Sequence, residues 1–463
     1  MDPYVPGQVG TVSNMSPVVM VLLLLAIILI FALPRKYVIV PVLLATLLIP
    51  QGSVIVLGGV HLMSVRIIGL VACIRALVPK MGLPSVAFAG GWMLIDTLFT
   101  CWALARSLAV IVSTMTQASL VNEVGHLWTY FGIYFILRSF IQDDEDVKRA
   151  IKVLAVVAAF NAVGMIYEHF RVQNLFALVL GGVQAVPSIR TGSVRSQGSF
   201  QHAILGGVYG GTLVGLLLWL WYASKSRLIV VIGLISAMTM VLTSASSTPL
   251  TAVGGTMLAI CLWPLRDKMR IVRWGVALTL IALHMVMKAP VWFLIARVDI
   301  ISSSTGYFRA VLIDQLVRHF PEWWLKGNIY YAGWGEELWD LSNQFVAEGF
   351  VGGLITLSLF IAIIVHCYSR IGIARKMVEG DRRKEWTMWL LGAALSAHMM
   401  AFFGVSYWDQ TWVAWATLLV IIVTATMKEV AQHAKESVQE YIPLRVGKRA
   451  PALEQSFQKR SRI

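Results

Sequence analysis

Apolar runs close to twenty residues long recur along this chain from Met15 to Met427, and each is closed by a short polar, basic or Gly/Pro-containing interruption. Runs of that length match the thickness of a bilayer core, where only a helix or a closed barrel satisfies its own backbone. None of the runs alternates with the period of two that a barrel strand needs, so the pattern predicts helices. The predicted stretches are 15–33, 37–58, 62–78, 92–114, 120–140, 150–166, 203–222, 228–242, 250–263, 272–286, 351–365, 386–403 and 412–426. Pro50, Gly52, Gly58 and Gly59 interrupt the second and third, which leaves a count of twelve to fourteen. The expected fold class is therefore an all-α, polytopic integral membrane bundle with a long extracytoplasmic loop.

Basic residues orient the predicted spans. Arg35 and Lys36, Lys80, Lys148 with Arg149 and Lys152, Lys225 with Arg227, Arg266 with Lys268 and Arg270, and the cluster Arg370 to Lys384 all fall in alternate loops. The positive-inside bias assigns these loops to the cytoplasm and the N-terminus to the outside. The first run lacks a basic n-region and a small-residue cleavage site, so it reads as a span and not as a signal peptide. Residues 1–427 are expected to form one transmembrane domain with outer loops near 171–202 and 287–344. Residues 428–463 form a basic cytoplasmic tail, expected to be disordered toward its end.

Composition sharpens this picture. Hydrophobic residues make up 58 % of the chain and charged residues 13 %, so the net charge of +14 is concentrated in loops and tail and points to lipid headgroups, not to nucleic acid. Cys73, Cys101, Cys261 and Cys367 each sit in an apolar stretch without metal-ligand or C-x-x-C spacing, and read as small packing residues.

Against the inside bias, several predicted outer segments carry arginines, aromatics and carboxylates. The run Arg190-Thr-Gly-Ser-Val-Arg195-Ser-Gln-Gly198-Ser-Phe200-Gln-His202 leads straight into a span. Arginine forks suit phosphate oxygens, and glycines admit a ligand close to backbone, so Arg190, Arg195 and His202 are candidates for a diphosphate clamp; interfacial snorkelling is the alternative. The turn Thr243 to Pro249 offers Ser246 and Ser247, either as helix caps or as donors to phosphate or sugar. After Ser302 to Thr305, the residues Arg309, Leu312, Leu316 and Phe320 share one face, which predicts an amphipathic helix on the outer surface with Tyr307 and Arg309 at its positive end. His319 follows in the same loop.

From Pro321 to Gln344 aromatics interleave with Glu336, Glu337, Trp339, Asp340, Asn343 and Gln344, and Tyr407-Trp408-Asp409-Gln410 repeats the mixture in a later outer turn. An interfacial aromatic belt explains some of these residues. Their density alongside carboxylates and amides is also what binds the apolar faces and hydroxyls of sugars. No phosphate-binding loop or H-E-x-x-H motif occurs. An enzyme working outside the cell lacks nucleotide sugars, so its activated substrate would be membrane-borne.

Read in order, the outer segments resemble the O-antigen ligase and O-antigen polymerase family of bacterial envelope glycosyltransferases. The resemblance rests on Arg195 to Gly206, on Gly306-Tyr-Phe-Arg309 ahead of Gly327 and Gly333-Trp-Gly335, on Trp339-Asp-Leu-Ser-Asn-Gln-Phe-Val-Ala-Glu348-Gly349-Phe-Val-Gly352-Gly, and on the Ser244 to Pro249 turn. It covers residues 190–410; the N-terminal third matches in hydropathy alone. The resemblance implies metal-independent and cofactor-free transfer or polymerisation of undecaprenyl-diphosphate-linked oligosaccharide onto an acceptor glycan, at the periplasmic face of the bacterial inner membrane. A chain-length regulator or export complex is the expected partner. Many ligases of the family carry a histidine where this chain has Trp339 and Asp340, which tilts the expectation toward a polymerase of exopolysaccharide or O-antigen repeats. Arg195 and Arg309 would then stabilise the departing diphosphate, and Asp340, with Glu336, Glu337 and His319 as the alternatives, would accept the acceptor's proton. Arg190, His202, Ser246, Ser247, Tyr307, His319, Trp339, Asn343, Gln344, Asp409 and Gln410 are the expected substrate contacts. The competing expectation is a transporter or flippase for lipid-linked oligosaccharide, with Asp96, Arg106, Glu123 and Arg138 lining a path.

Overall fold

A computed structural model describes residues 13–57, 60–77, 88–190, 192–297, 305–328, 334 and 341–433. The chain is mostly helical. Its first six helices are α1 (Pro17–Ala32), α2 (Arg35–Leu48), α3 (Ser64–Leu77), α4 (Leu94–Thr114), α5 (Gln117–Phe140) and α6 (Asp144–Arg171). After the short α7 (Leu175–Val179) come α8 (Ala203–Ala223), α9 (Arg227–Thr243), α10 (Ser247–Cys261) and α11 (Met269–Val286). The series ends with α12 (Thr305–Arg318), the single turn α13 (Phe320–Trp323), α14 (Gln344–Met377), α15 (Arg382–Phe402) and α16 (Gln410–Ala425). Each predicted apolar stretch overlaps one of these helices. Among the described residues five helical segments are long and apolar enough to cross a membrane, or six if α16 and the bent helix Met427–His433 count as one. Three shorter apolar helices, α1, α9 and α10, accompany them.

The stretch expected as a second span departs from its prediction. The helix stops at Leu48, and the chain turns into a hairpin in which β2 (Ser53–Leu57) pairs antiparallel with β3 (Val60–Met63), while β1 (Ser13–Asn14) joins β2 in parallel. The cause is local: Pro50 lacks an amide to continue the helix, and the following Ser-Val-Ile-Val-Leu run is rich in β-branched residues. A second, two-residue hairpin pairs β4 (Ile189–Arg190) with β5 (Ser193–Val194) inside the loop between α7 and α8.

One hydrophobic core runs from Met15 to Ala425. At its centre stands α8, nearly enclosed by α6, α9, α10 and α15. Glycine permits that crowding: a Cβ at Gly211 would lie 2.7 Å from the Pro249 carbonyl, and one at Gly215 would lie 2.6 Å from Ala394 Cα. Small residues that bring helix backbones together in this way replace the hydrophobic drive that lipid removes. By contrast, α11 buries none of its residues. The face of α12 predicted from spacing packs inward through Arg309, Leu312 and Leu316 and joins a smaller core with Trp323, Trp334 and Phe350, whereas Phe320 is exposed.

The two sets of loops separate to opposite ends of the bundle. At one end the basic loops are tied by ion pairs of Arg35 with Asp146 (2.9 Å), Arg375 with Asp267 (2.8 Å) and Lys428 with Asp144 (3.6 Å), and by Arg383 donating to the Tyr222 carbonyl. At the other end lie the β-hairpins, the 195–202 loop, the serine turn, and the starts of α14 and α16.

Candidate functional site

The site is built on the segment that precedes α8. Glu168, fully buried near the end of α6, directs Oε2 at this loop and accepts hydrogen bonds from the Gln197 amide (3.0 Å), the Gly198 amide (2.9 Å) and Asn174 Nδ2 (3.1 Å). Two turns earlier on the same helix, Asn161 Oδ1 accepts from both the amide and the hydroxyl of Ser199, each at 2.9 Å. Gly198 sits at φ +64°, and a Cβ there would fall 2.6 Å from Asn161 Oδ1, so the loop needs glycine for conformation and for room.

Three further segments lock onto this loop. The Ser196 amide donates to the Thr243 carbonyl at 3.0 Å, which places the serine turn beside it. Within that turn Ser246 and Ser247 are buried, and Thr248 Oγ1 donates to the Gly404 carbonyl (3.2 Å) while accepting from Arg309 Nη2 (2.8 Å). Arg309 is itself buried, carried inward by α12. On the opposite side the Gln201 amide donates to Asp409 Oδ2 (2.8 Å), and Gln410 Nε2 donates to the Ser199 carbonyl (2.8 Å). Gln344 completes the ring: its Oε1 accepts from the Tyr407 amide, and its Nε2 donates to Glu348. Asn343 caps α14 by accepting from the Phe345 and Val346 amides.

The structure thus brings the 195–202 loop, the serine turn, Arg309, Asn343, Gln344, Asp409 and Gln410 into one interlocked end of the bundle. Arg195 and Arg190 are close enough that the Arg190 charge adds to burial in pulling Arg195 below the usual guanidinium range. Arg195 Nε is buried with no hydrogen-bond partner among the described residues. Two adjacent guanidiniums, one with a buried unmatched donor, make an electropositive corner suited to phosphate oxygens.

Other predicted residues have different surroundings. His202 is exposed and caps α8, its Nδ1 accepting from the Ile204 amide at 3.3 Å. Tyr307 is exposed, its ring 6.0 Å from that of Phe293. His319 stacks on Trp334 (4.4 Å) and pairs with Glu322 (2.7 Å), while Trp334 also donates to Glu322, so the three side chains hold one another. Trp339 and Asp340 lie outside the described residues, as do Glu336 and Glu337.

Glu168 and Asn161 organise the site yet were not singled out by the sequence reading. An acid near the end of an otherwise apolar stretch was the available signal. Also unread was a cavity of about 130 Å³ beside the Gln201–Asp409 contact, walled by α3, α4, α5 and α16. Among the described residues no three His, Cys, Asp or Glu side chains gather as a metal-ligand set. In comparisons with known proteins, no family model matches this chain, and no curated protein does either.

Proposed function

We propose that the chain is a polytopic glycosyltransferase of bacterial inner membranes that transfers or polymerises undecaprenyl-diphosphate-linked oligosaccharide at the periplasmic face. In this reading its twelve to fourteen spans place the N-terminus in the periplasm and the basic tail in the cytoplasm. The observation that carries the reading is that Arg190 and Arg195, from the loop before α8, and Arg309, from α12 more than a hundred positions later, lie with the serine turn and the Asp409 turn at the end of the bundle opposite the basic loops.

The chemistry is an inverting displacement. The acceptor hydroxyl oxygen attacks the anomeric carbon, the bond from that carbon to the diphosphate oxygen breaks, and the diphosphate leaves with the electron pair. Arg195 and Arg309 stabilise the charge that develops on it, a role that fixed donors fill without reorganisation. The proton of the acceptor hydroxyl passes to a carboxylate, for which we propose Asp340. Asn343, Gln344, Asp409 and Gln410 position the glycan.

Deleting the gene in its host and analysing surface polysaccharide together with lipid-linked oligosaccharide tests the reading. Loss of long polymer with single repeats still at the surface, restored by the wild-type gene and not by Arg309→Ala, is the result expected of a polymerase. Full-length polymer stranded on its lipid carrier would mean a ligase. Repeats trapped on the inner leaflet would replace the enzyme with a flippase.

A further inference from the structure

The cavity beside the Gln201–Asp409 contact has a lining unlike that of the arginine corner. Aromatic rings of Tyr130, Trp408 and Trp412 form much of its wall, and Asp409, Gln201 and Arg106 reach it from three different elements. Asp409 is only 9 % exposed, and its Oδ1 accepts no hydrogen bond from the described residues although Oδ2 is engaged by the Gln201 amide. A buried, half-satisfied carboxyl group on a cavity wall is costly without a donor to face it.

The charges around the cavity select against an anionic occupant. Arg66 donates to the His61 carbonyl (2.8 Å) and the Thr129 hydroxyl (3.3 Å). Arg106 lies near the Tyr130 hydroxyl and within electrostatic reach of Glu123 and Glu348. Glu123 and Glu348 share Arg106, and Asp409 adds a third carboxyl group against the two guanidiniums, so the cavity lacks the surplus positive charge that a diphosphate needs. It offers aromatic faces, a hydroxyl-accepting carboxyl oxygen and planar polar groups at the rim.

We infer that this cavity is the subsite for one uncharged sugar ring of the acceptor glycan, stacked against Tyr130, Trp408 and Trp412 and donating a hydroxyl to Asp409 Oδ1. The inference rests on the glycan-transfer reading for the word acceptor, and on the cavity alone for the sugar. It divides the site into two compartments: the arginine corner takes the lipid diphosphate, the aromatic cavity takes the sugar, and the 195–202 loop with Asp409 is the wall between them.

Full-length protein in lipid nanodiscs, probed with free glucose, galactose, mannose and N-acetylglucosamine by saturation-transfer NMR, tests this directly, with inorganic pyrophosphate followed by phosphorus line width in the same samples. At least one sugar is expected to bind with a millimolar constant, the range open to a single ring. Ala416→Phe and Ile133→Trp fill the cavity from α16 and from α5, and each is expected to lower sugar binding at least tenfold while leaving pyrophosphate binding as in wild type. Retained pyrophosphate binding also reports that the variants are folded. Sugar binding that survives both fillings, its absence from wild type, or loss of pyrophosphate binding on filling would overturn the inference. If deletion of the gene removes long polymer and yet no sugar binds, the subsite falls alone. If sugars bind at the cavity and deletion leaves polymer intact, the subsite stands and the transferase reading falls.

Discussion

The backbone amide of Gln201 donates to Asp409 Oδ2 at 2.8 Å, joining the start of α8 to the start of α16 across 208 positions of sequence. Asp409 holds φ +60° and ψ −149°, a backbone region that is almost exclusive to glycine and costs about 1–3 kcal/mol. The cost is tolerated because a second clasp, Gln410 to the Ser199 carbonyl, fixes the same turn. Asp409→Gly relieves the strain and removes the clasp. We therefore expect a protein whose thermal unfolding shifts little and whose polymer synthesis is lost, measured as melting in detergent beside the polysaccharide profile of the complemented strain.

Burial pushes the Asp409 carboxyl up to about 7, with the Gln201 and Gln410 amides pulling the other way. The folded value lies above the ordinary 3.8, so between about pH 4 and pH 7 the folded chain binds the extra proton. Stability is then expected to fall as pH rises through this window and to level off above it, by no more than about 4 kcal/mol from this group. Asp409→Asn, isosteric and uncharged, should flatten that segment of a plot of melting temperature against pH. An unchanged slope in the variant would assign the dependence to another group.

Arg309 is buried and donates through Nη2 to Thr248 Oγ1 at 2.8 Å, so the guanidinium is oriented by the serine turn. Lysine keeps the charge but not the planar fork that can hold Thr248 and a phosphate oxygen together. Arg309→Lys is expected to reduce polymer synthesis by about 10²-fold or more, within the range for losing one preorganised electrostatic contact. Thr248→Val, which leaves the charge and removes its orienting hydroxyl, should fall between this variant and wild type. Full complementation by Arg309→Lys would sink the fork argument.

Glu168 accepts hydrogen bonds from three donors that carry the 195–202 loop. Glu168→Ala strands the two loop amides in the interior, at about 1–3 kcal/mol for each unsatisfied group. Glu168→Gln keeps a carbonyl acceptor and should lose much less. The expected order of melting temperature, wild type above Glu168→Gln above Glu168→Ala, is measurable by scanning fluorimetry in detergent, with proteolysis between α7 and α8 following the reverse order.

The helices and the two ends of the bundle were legible in the sequence because both depend on one-dimensional signals. Helix length follows from bilayer thickness, and the basic loops mark one face. The candidate site was legible where its residues fall between the predicted spans: Arg195, Arg309, Gln344 and Asp409 stood out as polar groups between apolar runs. What pulls them together was not, because Glu168 and Asn161 lie inside a helix, where a single polar residue has no sequence neighbour to reveal its partner. The hairpin at 53–63 was missed for a related reason. Its β-branched run has the same hydropathy as a span, and only Pro50 and the glycines distinguish the two. His319, read from the sequence as a substrate contact, stacks on Trp334 and pairs with Glu322 in the folded chain.

The charges that a translocator would use to line a path include Asp96 and Arg138, and the structure spends both on each other. Arg138 Nε donates to Asp96 Oδ1 at 3.0 Å and Nη2 to Oδ2 at 3.2 Å; both side chains are fully buried, and Asp96 also accepts from the Tyr134 hydroxyl and the Met93 amide. A pair with this many fixed partners is a structural tie between α4 and α5 near the basic end. Removing one member leaves an uncompensated buried charge at about 3–5 kcal/mol, whereas replacing both with apolar residues of similar volume is often close to neutral. Asp96→Leu and Arg138→Met alone should each lower the folded yield from membranes severalfold, and the double variant should recover most of it. Polymer synthesis, normalised to folded protein, should be unchanged in the double variant. If instead the double variant folds normally and repeats accumulate on the inner leaflet, the pair serves passage through the membrane, and the transport reading gains what the transferase reading loses.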